Sequence, residues 1–494
     1  MNTKNQKGSI SLFVLLSCLF FLVVVTSVAV SAKNKEAKVD AEIARIKAIY
    51  EKDVGNEEAI YNEKIAELPA IWDGTSTESP KFKDFHWYIY TPAQLKFLAD
   101  FVNNGNTLTS DQETLVTNAG YETSDVTMSS ATTVYLMNDL DLGASAGTGS
   151  TEEEKWETSE NETVKWTQIG IDSSTKKFIG IFEGNNYTIK GVYVNSTITG
   201  TGLFGQAGNN ISNLTIADSY IKGQNYTGGI VGSLLAGAID NCHNENTTVI
   251  LKDGTYTRVG GIAGGSSGNI SNCSNTGNII GNGIDGSRSR IGGIAGWTAT
   301  VTISKCSNSG TVTANGEWVG GIVGFPGDRS TISECSNTGD ITGEKGYVGG
   351  IVGQSGNYVT MSSCWNTGYI TGKEGYIGGI AGTSTASSIL SECYNGGAIE
   401  GGGNVVGGIA GNASNSGKID KCYNKGTVTG TGNSVGGIVG NMGATAELTN
   451  CYYLSSIGVS KGVGAGLATQ NNNAKVTDED FVSLTEFLEW LESQ

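Results

Sequence analysis

The spacing of apolar residues changes character twice along the chain. From Ile10 to Ala32 it is unbroken: ISLFVLLSCLFFLVVVTSVAVSA carries 23 positions without a charge. A helix rising ~1.5 Å per residue crosses a hydrocarbon core of about 30 Å with that many residues, so the segment predicts a membrane span. The next stretch, Lys35 to Asp53, mixes charges with Val39, Ile43, Ile46 and Ile49, which fall near one face of a helix. Between residues 201 and 457 the helical period is absent. Short apolar runs alternate with Gly, Asn and Ser, the pattern of strands joined by turns.

Those runs repeat. Val319-Gly-Gly-Ile-Val-Gly324 recurs from Val348 to Gly353, Ile377 to Gly382, Val406 to Gly411 and Val435 to Gly440. Earlier copies begin at Thr227, Val259 and Ile291, preceded by a variant, Thr201-Gly-Leu-Phe-Gly205. Each copy leads to an apolar residue, two polar residues and Cys-x-Asn. The cysteines concerned are Cys242, Cys273, Cys306, Cys335, Cys364, Cys393, Cys422 and Cys451, spaced by 31, 33 and then five times 29 residues. One such unit, with short β-runs such as GGIVG, TISECSN and GDITG, cannot enclose a core alone, but stacked units bury a continuous one. The pattern predicts an all-β fold: a parallel β-helix, or β-solenoid, of about eight 29-residue coils. With strands about 4.8 Å apart, the rod is roughly 40 Å long.

Stacking places equivalent residues in columns. Ile230, Ile262, Ile294, Ile322, Ile351, Ile380, Ile409 and Ile438 form one inward column. Ile239, Ile270, Ile303, Ile332, Met361, Leu390, Ile419 and Leu448 form another. Each buried aliphatic contributes about 1.5–3 kcal/mol. From Ile332 to Cys335 the step is three residues, so both face inward only if the strand bends or bulges between them. Helix signals flank the repeats. Thr91 offers an N-cap hydroxyl ahead of Pro92, followed by Leu95, Phe97, Leu98 and Phe101. Asp480 to Leu491 (DFVSLTEFLEWL) is amphipathic as well. An open coil exposes an edge that templates further pairing, so both helices are expected as caps, the second over the last coil.

Composition narrows the class. Gly is 73 of 494 residues and Pro only 4, amid many β-branched residues, which excludes disorder and collagen. A net charge of −17 makes nucleic acid a poor partner, since binding it requires basic patches.

The N-terminus leaves several processing routes open. Lys4 and Lys7 precede the apolar run and Lys33, Lys35 and Lys38 follow it, so charge alone does not set orientation. Val30-Ser31-Ala32 would suit cleavage of a signal peptide, whereas the length of the run favours a retained anchor. Lys7-Gly8-Ser9 resembles the leader of type IV prepilins and Tad-type pseudopilins, whose peptidase cuts after the Gly. Ser9 would then be the first mature residue, with Phe13 where prepilins carry Glu.

Gly-Gly-Ile-[Val/Ala]-Gly with a downstream Cys-x-Asn is similar to the GLUG repeat family of bacterial surface and secreted proteins, found also upstream of some IgA-specific metallopeptidases. Thr91-Pro-Ala-Gln-Leu-Lys-Phe-Leu-Ala, Tyr135-Leu-Met-Asn-Asp-Leu-Asp-Leu142, Trp166-Thr-Gln-Ile-Gly170 and Phe178-Ile-Gly-Ile-Phe-Glu-Gly-Asn-Asn-Tyr187 extend the resemblance over residues 86–457. It implies a surface repeat protein with an adhesin-like role.

Candidate chemistry lies in the columns. Disulfides, metal ligands and buried thiols are three readings of the cysteines. Cα spacing between coils suits a disulfide, but one thiol per coil pointing one way offers no four convergent zinc ligands, and buried free thiols fit better. Asn244, Asn275, Asn308, Asn337, Asn366, Asn395 and Asn424, two residues beyond each Cys, suit a stacked amide ladder. The residue between, from His243 through Trp365, Tyr394, Tyr423 and Tyr452, is expected to face outward. A second aromatic stripe, Trp318, Tyr347 and Tyr376, precedes the Gly-Gly corner. Such faces stack sugar rings, anchor a partner protein, or stack on one another. Lys305 beside Glu334, and Glu392 beside Lys421, are expected to pair across coils.

Enzyme signatures are sparse. The histidines are His86 and His243, so no HExxH zinc site or His-based relay is available. Asp139 and Asp141 share one strand face and form the nearest carboxylate pair, but inside a stretch that resembles family scaffold. No catalytic, metal or cofactor site is expected, and the calcium repeat GGxGxD is absent. The expected organisation is a leader (1–8), a transmembrane helix (9–32), a charged helical stalk and linker (33–85), an N-terminal cap with irregular coils (86–200), the repeat solenoid (201–457) and a C-terminal cap helix (458–494). The expected function is that of a non-enzymatic, membrane-anchored, extracytoplasmic protein for adhesion or envelope structure, with a glycan or protein ligand. A carbohydrate-active β-helix enzyme and a pseudopilin-like filament subunit are the alternatives.

Overall fold

The computed structural model describes residues 71–172, 174–251, 257–281, 288–403, 405–466, 474–481 and 483–493. The expected leader, membrane helix and stalk up to residue 70 lie outside the described residues. Among those described, no helix is long and apolar enough to cross a membrane.

A coil is built from very short strands because glycine and asparagine corners interrupt every apolar run. In the coil beginning at Trp318 the strands are Trp318–Gly320, Val323–Pro326, Thr331–Ser333, Ser336–Asn337 and Ile341–Gly343. None could persist alone. Each pairs in parallel with its equivalent one coil later: Trp318 with Tyr347, Val323 with Val352, Ile332 with Met361, Asn337 with Asn366, and Ile341 with Ile370. The result is an all-β parallel solenoid. Three of its ladders contain 8, 9 and 10 strands, so it makes about nine turns instead of the expected eight. The extra turn arises because Phe204–Ala207, which begins in the variant copy, pairs with Val231–Leu234, while Val463–Ala465 adds a rung beyond Val439.

The ladder carrying the cysteines extends well upstream of the repeats. Trp87, Val134, Phe182 and Ile211 occupy consecutive rungs. The helix Pro92–Asn103, N-capped by Thr91, buries Leu95, Phe97, Leu98 and Phe101. Phe101 packs 5.0 Å from the Trp87 indole. Residues 71–85 contribute buried Trp72 and the strand Lys81–Lys83, antiparallel to His86–Ile89.

The three-residue step before each cysteine has a specific solution. Asn213, Asn241, Asn272, Lys305, Glu334, Ser363, Glu392, Lys421 and Asn450 adopt φ between 49° and 53°. A left-handed residue turns the strand without ending it, so Ile332 and Cys335 both point inward and are fully buried. That conformation costs a non-glycine residue about 1–2 kcal/mol, offset here by burial of two apolar side chains. Asparagine tolerates it best, but Lys305 and Glu334 show that the site selects a geometry and not a chemistry. Glu392 and Lys421 approach to 3.5 Å, while Lys305 and Glu334 form no ion pair among the described residues.

Inside the bend run two polar columns. Asn275, Asn308, Asn337, Asn366 and Asn395 each donate from Nδ2 to the glycine carbonyl two residues on and to Oδ1 of the asparagine in the next coil, at 2.7–3.0 Å. Every amide in mid-ladder therefore has both donors and one acceptor satisfied without water. The repeat cysteines are free and buried. The Cys335 thiol donates to the carbonyl of Ser333 at 3.2 Å and lies 3.7 Å from that of Ile303 in the preceding coil. Burial pushes the thiols of Cys242, Cys364 and Cys422 above their ordinary range. These thiols should resist alkylation in the folded chain and react only after denaturation, as counted by mass spectrometry; labelling of native chain would contradict a closed core.

Loss of an amide should depend on its rung. Asn337→Ala strands the donor of Asn308 and the acceptor of Asn366, whereas Asn244 has a bare Oδ1 at the ladder's start. Chemical denaturation should show Asn337→Ala destabilising more than Asn244→Ala, by roughly 1–3 kcal/mol, the penalty for a buried unpaired group.

Candidate functional site

Aromatic residues repeated once per coil form columns on the outside of the solenoid, and the chain treats them differently. Tyr193 and Tyr220 stack at 5.8 Å, and Trp156 stacks on Tyr220 at 5.8 Å from the short helix Glu152–Trp156. Glu162 and Glu157 accept hydrogen bonds from the two tyrosine hydroxyls at 2.7 and 2.9 Å. This column is roofed by the chain's own excursion. Burial, then those carboxylates, pushes both phenols well above their ordinary range.

The stripe beside the cysteines meets the same fate at the other end. The helix Leu484–Glu492 lays Phe487 against Tyr423 at 5.2 Å and Trp490 against Tyr452 at 5.0 Å. Tyr394 donates to the Phe481 carbonyl at 3.2 Å and Tyr423 to that of Glu479 at 2.9 Å, while Lys425 pairs with Asp480 at 2.9 Å. Tyr394, Tyr423 and Tyr452 are consequently 2%, 0% and 9% exposed. Their side chains do point away from the solenoid core, as expected, but not into solvent. Of the four, Trp365 alone stays open, at 37%. The helix lies along the flank of three coils instead of capping only the last.

A third column is covered by no helix among the described residues. Tyr226, Arg258, Arg290, Trp318, Tyr347 and Tyr376 occupy consecutive rungs in strict register. Across the Gly-Gly corner a parallel column carries Gly265, Trp297, Phe325 and Gln354. Two bare glycines allow the strands on either side to fold back closely; a Cβ on Gly320 would meet the Val323 carbonyl oxygen at 2.2 Å. That closeness makes the two columns interdigitate. The Arg258 guanidinium lies 4.3 Å from the Tyr226 ring and 5.2 Å from Trp297; that of Arg290 lies 4.9 Å from both Trp318 and Phe325. Tyr347 and Tyr376 then stack at 5.3 Å, 4° from parallel. Apart from Trp318, these rings and guanidinium groups are partly exposed. No helix packs on them among the described residues.

Of the expected site residues, the structure thus unites Trp318, Tyr347 and Tyr376 and separates them from Trp365, Tyr394, Tyr423 and Tyr452. Sequence reasoning missed Tyr226, Arg258, Arg290, Trp297 and Phe325. The signal was present: the first three stand two residues before the Gly pair, as Trp318 does.

The carboxylates weighed for catalysis are occupied. Asp139 accepts the Thr188 amide at 2.7 Å, and Asp141 accepts that of Gly143 at 2.9 Å and pairs with Lys190 at 3.2 Å. The His86 ring accepts the Thr133 amide at 3.0 Å, and His243 meets the Ser274 hydroxyl at 2.8 Å. Among the described residues no His, Cys, Asp and Glu cluster could hold a metal ion.

Tyr394 provides a test of the roof. Burial, then Asp480 and Glu486, pushes its phenol up to about 12. Docking is therefore fully favourable below a phenol's ordinary value near 10 and weakens as pH rises through about 12. Ultraviolet titration should find the Tyr394 phenolate forming late in the native chain and nearer its ordinary range in Phe487→Ala.

Residues 223–250 and 255–280 match the model of the GLUG motif. No curated protein matches the chain significantly. Among solved structures, a Bacteroides ovatus protein provisionally named an immunoglobulin A1 protease is similar at 15% identity and a TM-score of 0.34, over 86% of this chain and 93% of that one. So distant a likeness carries no argument about fold or activity. What stands is that two segments match the GLUG motif and that both lie within the coils of a parallel β-solenoid.

Proposed function

We propose that the protein is a non-enzymatic, surface-located solenoid for adhesion or envelope structure, which holds a glycan or protein ligand on the column of Trp318, Tyr347 and Tyr376. One observation supports this reading above others. Two aromatic columns are roofed by helices of the same chain, while this one presents stacked rings with no helix over them among the described residues. Ring edges presented at one-coil intervals suit contact with successive sugars or with the apolar side chains of a partner. In the same reading, residues 9–32 tether the solenoid to a membrane with the repeats outside the cytoplasm, in keeping with their uncharged length.

The full chain, displayed on a glycan array and against surface-protein fractions, should bind through this column. The triple variant Trp318→Ala, Tyr347→Ala, Tyr376→Ala should lose affinity by about thirtyfold or more, the scale of an aromatic hot spot. Undiminished binding by a folded triple variant would refute the assignment.

A further inference from the structure

The open column begins with two arginines, and they are out of place by ordinary electrostatics. Three of the sequence's five arginines, Arg258, Arg288 and Arg290, lie within 33 residues of each other in a chain of net charge −17. Arg258 and Arg290 stand directly opposite on neighbouring strands, where like charges repel. Exposed Arg288 adds to that repulsion on Arg290. Despite 48 acidic residues in the chain, neither Arg258 nor Arg290 has a carboxylate or any hydrogen-bond acceptor among the described residues.

Their ring neighbours satisfy the guanidinium faces but not the edges. Stacking on Tyr226, Trp297, Trp318 and Phe325 offsets some lost hydration, by about 0.5–2 kcal/mol per contact. The in-plane N–H groups are left over. Nε of Arg258, Nε of Arg290 and Nε1 of Trp318 are all buried and have no acceptor among the described residues. Three unpartnered donors in one cluster, with two positive charges among them, call for a ligand that is anionic and only accepts hydrogen bonds. Burial, then Arg258, lowers Arg290 to about 10, so it remains charged at neutral pH.

We infer that the Arg258–Arg290 pair is a recognition site for the carboxylate or sulfate of an acidic glycan whose neighbouring sugars pack along the ring edges of Trp318, Tyr347 and Tyr376. This deepens the proposed function and rests on it. The continuous register from Arg258 to Tyr376 favours one extended ligand over a bare ion: the anion sits at one end and the ring edges follow, one per coil. Glu317, which acts on the Tyr347 phenol, lies toward the aromatic end and disfavours a second anionic group there. A sparsely charged glycan therefore fits better than a polyanion.

The test is an array of uronate-, sialate- and sulfate-bearing glycans beside neutral counterparts, probed with the full chain and followed by calorimetry on the tightest acidic glycan. Wild type should prefer acidic members, and Arg258→Gln with Arg290→Gln should lower their affinity about tenfold or more, to the neutral level. The preference should also shrink with added salt in wild type, a readout that needs no variant. Equal binding of acidic and neutral glycans, unchanged in the double glutamine variant, would overturn the arginine assignment and leave the aromatic stripe standing. No glycan binding at all would refute the stripe as a sugar platform, and this inference with it. Full displacement by inorganic sulfate at matched concentration would reduce the site to a bare-anion site and overturn the glycan assignment.

Discussion

The strands of a repeat coil make their ladder hydrogen bonds with their own counterparts one turn away. A strand of two or three residues has no stability of its own, so the register between coils is what creates the structure. That constraint decides which side chains the repeat can carry. A residue type is stacked on itself, so it must be one that tolerates its own kind at one-strand spacing. Isoleucine does so by packing, cysteine by filling small volume, and asparagine by donating to the amide above. Rings do so by stacking. Charges of one sign do not, which is why Lys421 faces Glu392, and why the Arg258–Arg290 pair stands out.

The same constraint explains the helices. A column of rings on the flank is a continuous apolar strip that a helix can cover at little conformational cost, because the strip is already rigid. Trp156 does this near the beginning and Phe487 with Trp490 near the end. Each roof also fixes ring hydroxyls through hydrogen bonds that the rings alone could not make. The middle of the solenoid carries no such roof among the described residues, and there the strip is joined to positive charge.

What could be read from sequence was what the repeat states eight times over. The isoleucine columns, the inward cysteines, the asparagine ladder and even the need for a bend between Ile332 and Cys335 follow from spacing. The left-handed residue that makes the bend was not nameable, because Asn241, Lys305, Glu334 and Ser363 share a dihedral angle and no chemistry. Exposure was not readable either. Trp365 and Tyr394 sit at identical repeat positions, yet one is open and the other is sealed by a helix some ninety residues away in sequence. The arginine pair was hidden for a related reason. Its meaning depends on Trp297 and Phe325, which belong to the strand beyond the Gly-Gly corner and meet it only because that corner is so tight.

The asparagine amides all donate in one direction, toward the C-terminal end, and among the described residues nothing donates to the Oδ1 of Asn244. After Asn424 the column ends in Tyr453, which occupies the next rung. A chain of this kind is indifferent to its own length. Each module arrives with one link to give and one to take, so duplicating or deleting whole modules lengthens or shortens the fibre while its cross-section stays the same. Reach, and not shape, is the property that copying errors at the gene level can adjust most freely.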